Sequence, residues 1–162
     1  TRDYYRKTHL GQREKTVFSP GKELKILSLT NGTRIGIQLC VETHYPEITQ
    51  TLALRGAEVV FAPHAVPRIS GNREKIWSKY IPARSYDNRI YMACCNLWDN
   101  TSFGGGCLVT GPRGEVVSAC FDDKAFLLVC EIDEDLIASF RTLGNKRSAH
   151  FYPSLRRPEL YE

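Results

Sequence analysis

The chain has 162 residues, 42% hydrophobic and 25% charged, with a formal net charge of +4. Those values fit one domain with a sizeable core and exclude an intrinsically disordered chain. The basic residues at 13–15, 146–147 and 156–157 are interrupted by acids or apolar residues, so they form no face suited to nucleic acid. No apolar run approaches the roughly 18 residues that span a bilayer.

In chain order, "DYYRKTHL" (3–10) reads as a strand and "FSPGKE" (18–23) as a turn. "LKILSL" and "TRIGIQL" flank Asn31-Gly32, which predicts a two-residue hairpin of the type I′ kind. Ile35, Ile37 and Leu39 alternate with smaller or polar residues, the period-two pattern of a half-buried strand. "YPEITQTLALRG" (45–56) predicts a helix, with Pro46 in its first turn, Glu47 near its positive end and Gly56 as its stop. "AEVVFAP" (57–63) is a buried strand. "REKIWSKYIPARSYDNR" (73–89) is a second helix kinked at Pro82, and "IYMACCNLW" (90–98) another buried strand. "GGGCLVTGPRGEVVSAC" (104–120) is a hairpin turning at 112–114. The strand "AFLLVCEID" (125–133), the helix "EDLIASFRTL" (134–143) and an extended tail over 151–162 follow. Strands and helices alternate through the middle of the chain, so the expected fold is an α/β layered domain.

The opening residues carry neither an initiator Met nor a basic-then-apolar leader, and "DYYRKTHL" already reads as mid-domain strand. We expect the numbering to begin inside a larger protein. The six cysteines include the adjacent pair Cys94 and Cys95, and Cys107, Cys120 and Cys130 sit in apolar runs. Without CxxC spacing they predict free thiols in a reducing, cytoplasmic setting, with no metal and no cofactor.

Cys40 stands where an apolar strand gives way to a polar turn and then a helix. A nucleophile is presented by that device, with the Val41 N–H next in line for an oxyanion and Glu42 and Pro46 capping and opening the helix. Cysteine is also among the most buried residue types, so position alone leaves a core role open. A thiol needs a neighbouring base or cation to become a nucleophile, and Lys7, a charge within an aromatic strand, is the candidate. An edge-strand lysine pointing to solvent is the alternative for Lys7.

At these residues the sequence resembles the nitrilase superfamily of carbon–nitrogen hydrolases, which use a Glu–Lys–Cys triad. "YRKTHL" is similar to the family's lysine motif, and "REKTVFSPG" to the segment that follows it. "IGIQLCVETHYPE" is similar to its nucleophile elbow, and "RGAEVVFAPHAVP" to its next strand and substrate-side loop. "ARSYDNRIYMACCN", "FGGGCLVTGPRGEVV" and "RRPELY" resemble its later segments, so the likeness covers nearly the whole chain.

The resemblance implies that Cys40 is the nucleophile, Lys7 the cation steadying thiolate and oxyanion, and Glu14 a supporting glutamate. It makes the Val41 N–H an oxyanion donor and sets His64, Ala65 and Val66 on a substrate-facing loop, although a loop histidine bonded to backbone explains His64 equally well. Phe103 and Gly104 fall near the family's pocket, and a tight hairpin accounts for them too. The family's catalytic Glu lies well before the lysine motif, and only six residues precede Lys7 here. The expected fold is therefore the C-terminal part of a four-layer α-β-β-α sandwich, with an apolar sheet face uncovered and no activity from this chain alone. The implied substrates are small amides, N-carbamoyl compounds and omega-amides. Nitriles are the second choice, because Val41 replaces the Trp frequent in nitrile-cleaving members. The implied partners are the N-terminal half and a second copy, packed through the elbow helix and tail. A non-catalytic dimerisation or regulatory module is the competing reading.

Overall fold

The computed structural model describes residues 4–142 and 144–161. Residues 1–3, 143 and 162 lie outside the described residues, and with them Asp3 of the expected first strand, Leu143 of the last expected helix and the final residue of the tail. Six strands lie side by side in chain order: β1 (Ile26–Ser28), β2 (Arg34–Ile37), β3 (Val59–His64), β4 (Tyr91–Asn96), β5 (Cys107–Thr110) and β6 (Val116–Cys120). β2, β3 and β4 run parallel, and the remaining pairs are antiparallel. Parallel neighbours need long crossovers, which helices α1 (Pro46–Leu54), α2 (Arg73–Trp77) and α3 (Ile81–Asn88) supply.

Both crossovers cover one sheet face. Ile48 and Leu52 of α1, with Trp77 and Ile81, pack on Val60, Ala62, Met92, Cys94 and Leu108, which are alternate strand positions. Gly36 of β2 sits under Leu52, where a Cβ would lie 3.0 Å from Leu52 Cδ1. On the opposite face Val59, Tyr91 and Val109 meet Ile137 of α4 (Glu134–Arg141), together with Leu128 and Cys130. Further along that face the cover stops, leaving Phe61 42% exposed. This is the uncovered apolar surface expected from the sequence.

Several elements depart from expectation. "DYYRKTHL" forms no strand in its described part: the Thr8 and His9 N–H groups donate to the Glu42 carboxylate, and the Lys7 carbonyl accepts from Gly21. The Asn31-Gly32 hairpin is wider than two residues, because Gly32 donates to the Leu29 carbonyl and takes φ +92°, the left-handed residue of a three-residue turn. The kinked helix is two helices, because proline is tolerated in a first turn and not mid-helix. The break at 78–80 falls before Pro82, which stands in the first turn of α3. "AFLLVCEID" is no strand either: among the described residues no backbone hydrogen bond reaches 125–132. The tail over 151–161 is wound rather than extended, in 3₁₀ turns at Tyr152–Leu155 and Pro158–Leu160, and a further 3₁₀ turn at Lys146–His150 precedes it.

Arg89 fastens that tail. Left-handed at φ +51° after α3, it buries its guanidinium, which donates to the carbonyls of His150 (3.0 Å) and Pro112 (2.9 Å) and stacks over Tyr86 and Tyr152. Among the described residues no helix is long and apolar enough to cross a membrane.

Candidate active site

The chain leaves β2 into a 3₁₀ turn, Cys40–His44, before α1 starts at Pro46. Cys40 opens this turn with φ +53°, one of two non-glycine residues with positive φ among the described residues. A non-glycine residue there is strained by about 1–2 kcal/mol and persists only where its surroundings enforce it. The Thr43 hydroxyl donates to the Cys40 carbonyl (2.8 Å) and fixes the turn. Cys40 is half-buried, and among the described residues no group accepts from the Val41 N–H.

Glu42, two residues on, is fully buried. Its Oε1 accepts from the Tyr5 hydroxyl (2.8 Å), the Thr8 N–H and hydroxyl (2.7 Å each) and the His9 N–H (3.2 Å). Its Oε2 accepts from the Leu39 N–H (2.6 Å). Glu42 therefore bolts the lysine loop to the elbow rather than capping α1, as the sequence suggested. Burial first, and then Glu42, push the Tyr5 phenol above its ordinary range.

Lys7 lies in that bolted loop. Its ammonium, 13% exposed, reaches both Glu14 carboxylate oxygens at 2.7 Å. Glu14 also accepts from the Gly11 N–H (2.6 Å), and the Lys7 bond followed by the Gly11 bond holds its carboxyl below the usual range. The other side of the loop is clamped by the Phe18-Ser-Pro-Gly turn. The Gly21 N–H donates to the Lys7 carbonyl at 2.7 Å, and a Cβ on Gly21 would run into the Arg6 carbonyl oxygen. Lys7 and Glu14 are thus paired, in a loop whose Tyr5, Thr8 and His9 are hydrogen-bonded to Glu42 of the Cys40 turn.

His64 ends β3 with its ring turned inward. Nδ1 lies 2.7 Å from the Ala62 carbonyl, Nε2 lies 3.4 Å from the Thr43 hydroxyl, and the ring is 4.9 Å from that of Trp77. Burial lowers its pKa to about 4, with the Arg73 charge adding to the effect, so the imidazole is neutral and donates from Nδ1. Ala65 is exposed beyond it, and the side chain of Asn96 holds Val66 through both backbone groups (2.8 and 3.1 Å). Beside Asn96 opens a cleft of about 310 Å³, lined by Val66, Gly104, Phe121, Arg68 and Arg73 among others. Phe103 and Gly104 form isolated bridges to Pro67 and Trp98, so that hairpin builds one wall of the cleft. Among the described residues no group of acids, histidines and cysteines is arranged to hold a metal ion.

Sequence reasoning missed Glu42 as a bolt, Tyr5 and Thr8 as its donors, and Thr43 beneath Cys40. An acid set two residues after the elbow cysteine, in an apolar setting, was the available signal. No comparable signal marks Arg73, which a long loop brings to the cleft.

Cys40 thus stands with positive φ at a strand–helix junction, and Glu42 of the same turn ties it to the loop that carries the Lys7–Glu14 pair. The chain belongs to the carbon–nitrogen hydrolase family, whose model matches residues 1–142. It is 29% identical to N-carbamoylputrescine amidase of Solanum tuberosum, over 98% of this chain and 57% of that protein. It is 31% identical to an (R)-stereoselective amidase of Pseudomonas sp, over 85% of this chain and 50% of the amidase. A variant of the amidase from Nesterenkonia sp. AN1, solved with the acetamide moiety of fluoroacetamide on its active-site cysteine, superposes with a TM-score of 0.76. It is 28% identical, and the match covers 97% of this chain and 54% of that one. The chain thus spans about half the length of the relatives it matches.

Proposed function

We propose that this chain is the C-terminal part of an amidase-type hydrolase that cleaves small amides or N-carbamoyl compounds through a thioester on Cys40. The observation that carries this reading is the strained φ of Cys40 in a turn whose Glu42 is hydrogen-bonded to the loop that carries Lys7, itself paired with Glu14. A general-base carboxylate, supplied by polypeptide outside these residues, takes the thiol proton while Cys40 Sγ attacks the carbonyl carbon. The tetrahedral oxyanion is held by the Lys7 ammonium and the Val41 N–H. The amine or ammonia departs with the proton, and water attacks the thioester to release the acid and free the thiol. Each oxyanion donor contributes about 10²–10³-fold and the base about 10²–10⁴-fold, so the described residues hold only part of the machinery.

The same outside polypeptide would cover the open sheet face around Phe61 and pair with residues 125–132, in keeping with the half-length match. Six free thiols suit a reducing, cytoplasmic setting, and a homodimer packed through α1 and the tail is the assembly we favour.

The test is thiol reactivity near neutral pH. Iodoacetamide should modify Cys40 stoichiometrically and faster than the other five cysteines, with the advantage lost in Lys7→Met. Joined to the polypeptide that supplies the base, the chain should release ammonia from a panel of small amides, with the release abolished in Cys40→Ser, whereas residues 1–162 alone should not reach an ordinary enzyme rate. A Cys40 no more reactive than the exposed Cys95 would favour a non-catalytic module instead.

A further inference from the structure

Three of the six cysteines stand in one row across the sheet. Cys95 of β4 is the register partner of Cys107 of β5, and Cys107 is in turn the partner of Cys120 of β6. Strand side chains alternate between faces, and Cys94 belongs to the core beneath α1. Cys95 therefore points to the opposite face, the one that leaves Phe61 exposed. Cys107 and Cys120 share that face, since register partners lie on the same side of a sheet. Cys95 is exposed, Cys107 and Cys120 are half-buried, and all three are free thiols.

The pairing geometry suits a crosslink. The Asn96 N–H donates to the Gly106 carbonyl (2.8 Å), which makes those two a hydrogen-bonded pair. Cys95 and Cys107, one step along the ladder, are the next, non-hydrogen-bonded pair. Such pairs bring Cα atoms to about 4.5 Å, inside the span of roughly 4.4–6.8 Å that a disulfide bridges. The thiols also sense one another. Burial first, and then Cys95 and Cys120, push the Cys107 thiol above its ordinary range. A cleft of about 250 Å³, lined by Cys107, Gly106, Lys124 and Phe126 among others, opens to this middle thiol and gives a small oxidant access to it. Cys94 has no such arrangement, being buried and opposed by Leu108.

We propose that Cys95, Cys107 and Cys120 form a thiol oxidation site, in which Cys95 and Cys107 close a cross-strand disulfide and Cys120 is the alternative partner of Cys107. With a peroxide as oxidant, the exposed Cys95 sulfur takes one oxygen to become a sulfenic acid, the O–O bond breaks and water leaves. The Cys107 sulfur then attacks that sulfur, the S–O bond breaks and a second water departs. Two thiols thereby give up two electrons and two protons to one peroxide. Attack by Cys120 on the Cys107 sulfur passes the disulfide along the row and returns Cys95 to a thiol. The inference assigns no role to Cys40, so it stands or falls apart from the hydrolase reading.

The test treats residues 1–162, and the same residues joined to the polypeptide that would cover this sheet face, with hydrogen peroxide. Peptides are then mapped by mass before and after reduction, with chymotrypsin cutting the chain between Cys95 and Cys107. The wild type should show a reducible link between the Cys95 and Cys107 peptides, formed more slowly in the longer polypeptide. A link confined to residues 1–162 supports the site and places its oxidation before the cover docks. Cys95→Ser should link Cys107 to Cys120 instead, and Cys107→Ser should show neither link. The wild-type map decides the pairing even where a variant fails to fold. The absence of a reducible link from both wild-type polypeptides, or links made chiefly through Cys40, Cys94 or Cys130, overturns the proposal. A folded Cys95→Ser chain without the Cys107–Cys120 link overturns the part assigned to Cys120.

Discussion

Replacing Glu42 by glutamine keeps the shape of the bolt and removes its charge. The carboxylate accepts from Tyr5, twice from Thr8, and from His9 and Leu39. The amide nitrogen of glutamine faces the fewest donors in the Oε2 position, where it meets the Leu39 N–H alone. That leaves one buried donor without an acceptor, about 1–3 kcal/mol, and turns the Oε1 bonds from charge-assisted to neutral, which roughly halves them. The bonds share one oxygen and do not add fully, so a total loss of about 3–4 kcal/mol is expected. For a chain of this size that is roughly a 10 °C fall in unfolding temperature. Urea unfolding of Glu42→Gln beside wild type measures the loss, and hydrogen exchange at Thr8, His9 and Leu39 shows whether it is local to the bolt. A change below about 0.5 kcal/mol with unaltered exchange at these amides would refute the account of Glu42 as the tie between lysine loop and elbow.

Two further outcomes follow from the same geometry. Gly21→Ala places a methyl against the Arg6 carbonyl and strains the bond to the Lys7 carbonyl, so it should slow iodoacetamide labelling of Cys40 towards the rate of Cys95. Its stability cost should be about 1–3 kcal/mol by urea unfolding, and unchanged labelling would mean the loop is not positioned by this turn. His64 has a folded pKa of about 4, below its unfolded value of 6.5, so the unfolded chain binds the extra proton. Its stabilising effect is complete above pH 6.5 and is lost as pH falls from 6.5 towards 4, by about 3 kcal/mol in total. The stability–pH profile of His64→Gln should be flatter over that window, and parallel profiles would contradict a neutral, buried imidazole.

The sheet and its helical face were legible because each rests on local signals. Period-two alternation marked β2, Pro46 and Gly56 bounded α1, and apolar runs marked β3 and β4. The elbow was legible too, since Cys40 stands at a change of pattern. Glu42 was not, because its role depends on a loop some 34 residues away in sequence that reads as strand and folds otherwise. The aromatic and β-branched residues of "DYYRKTHL" fit a strand, yet its backbone donors are answered by a carboxylate, and the loop is the result. The break before Pro82 was misplaced for a different reason. The proline was placed inside a helix, although its missing N–H is tolerated only in a first turn, so the chain starts a new helix around it.

The segment 125–132 shows what a strand pattern does and does not determine. Alternation is present in the structure: Phe126, Leu128 and Cys130 are half-buried, while Leu127 is 87% and Val129 78% exposed between them. Side-chain sorting by face therefore survives without a ladder, because burial on the sheet needs only the inward residues. The hydrogen bonds do not survive, because they need a neighbour on the edge, and among the described residues none is offered. An exposed apolar edge of this length would be an aggregation hazard if it were the final surface, and nothing local blunts it beyond Glu131. The same chain leaves Phe61 open on the face nearby and spans about half of its relatives' length. Both exposures are accounted for at once by the missing neighbour we propose, the same polypeptide that would bring the general base to Cys40.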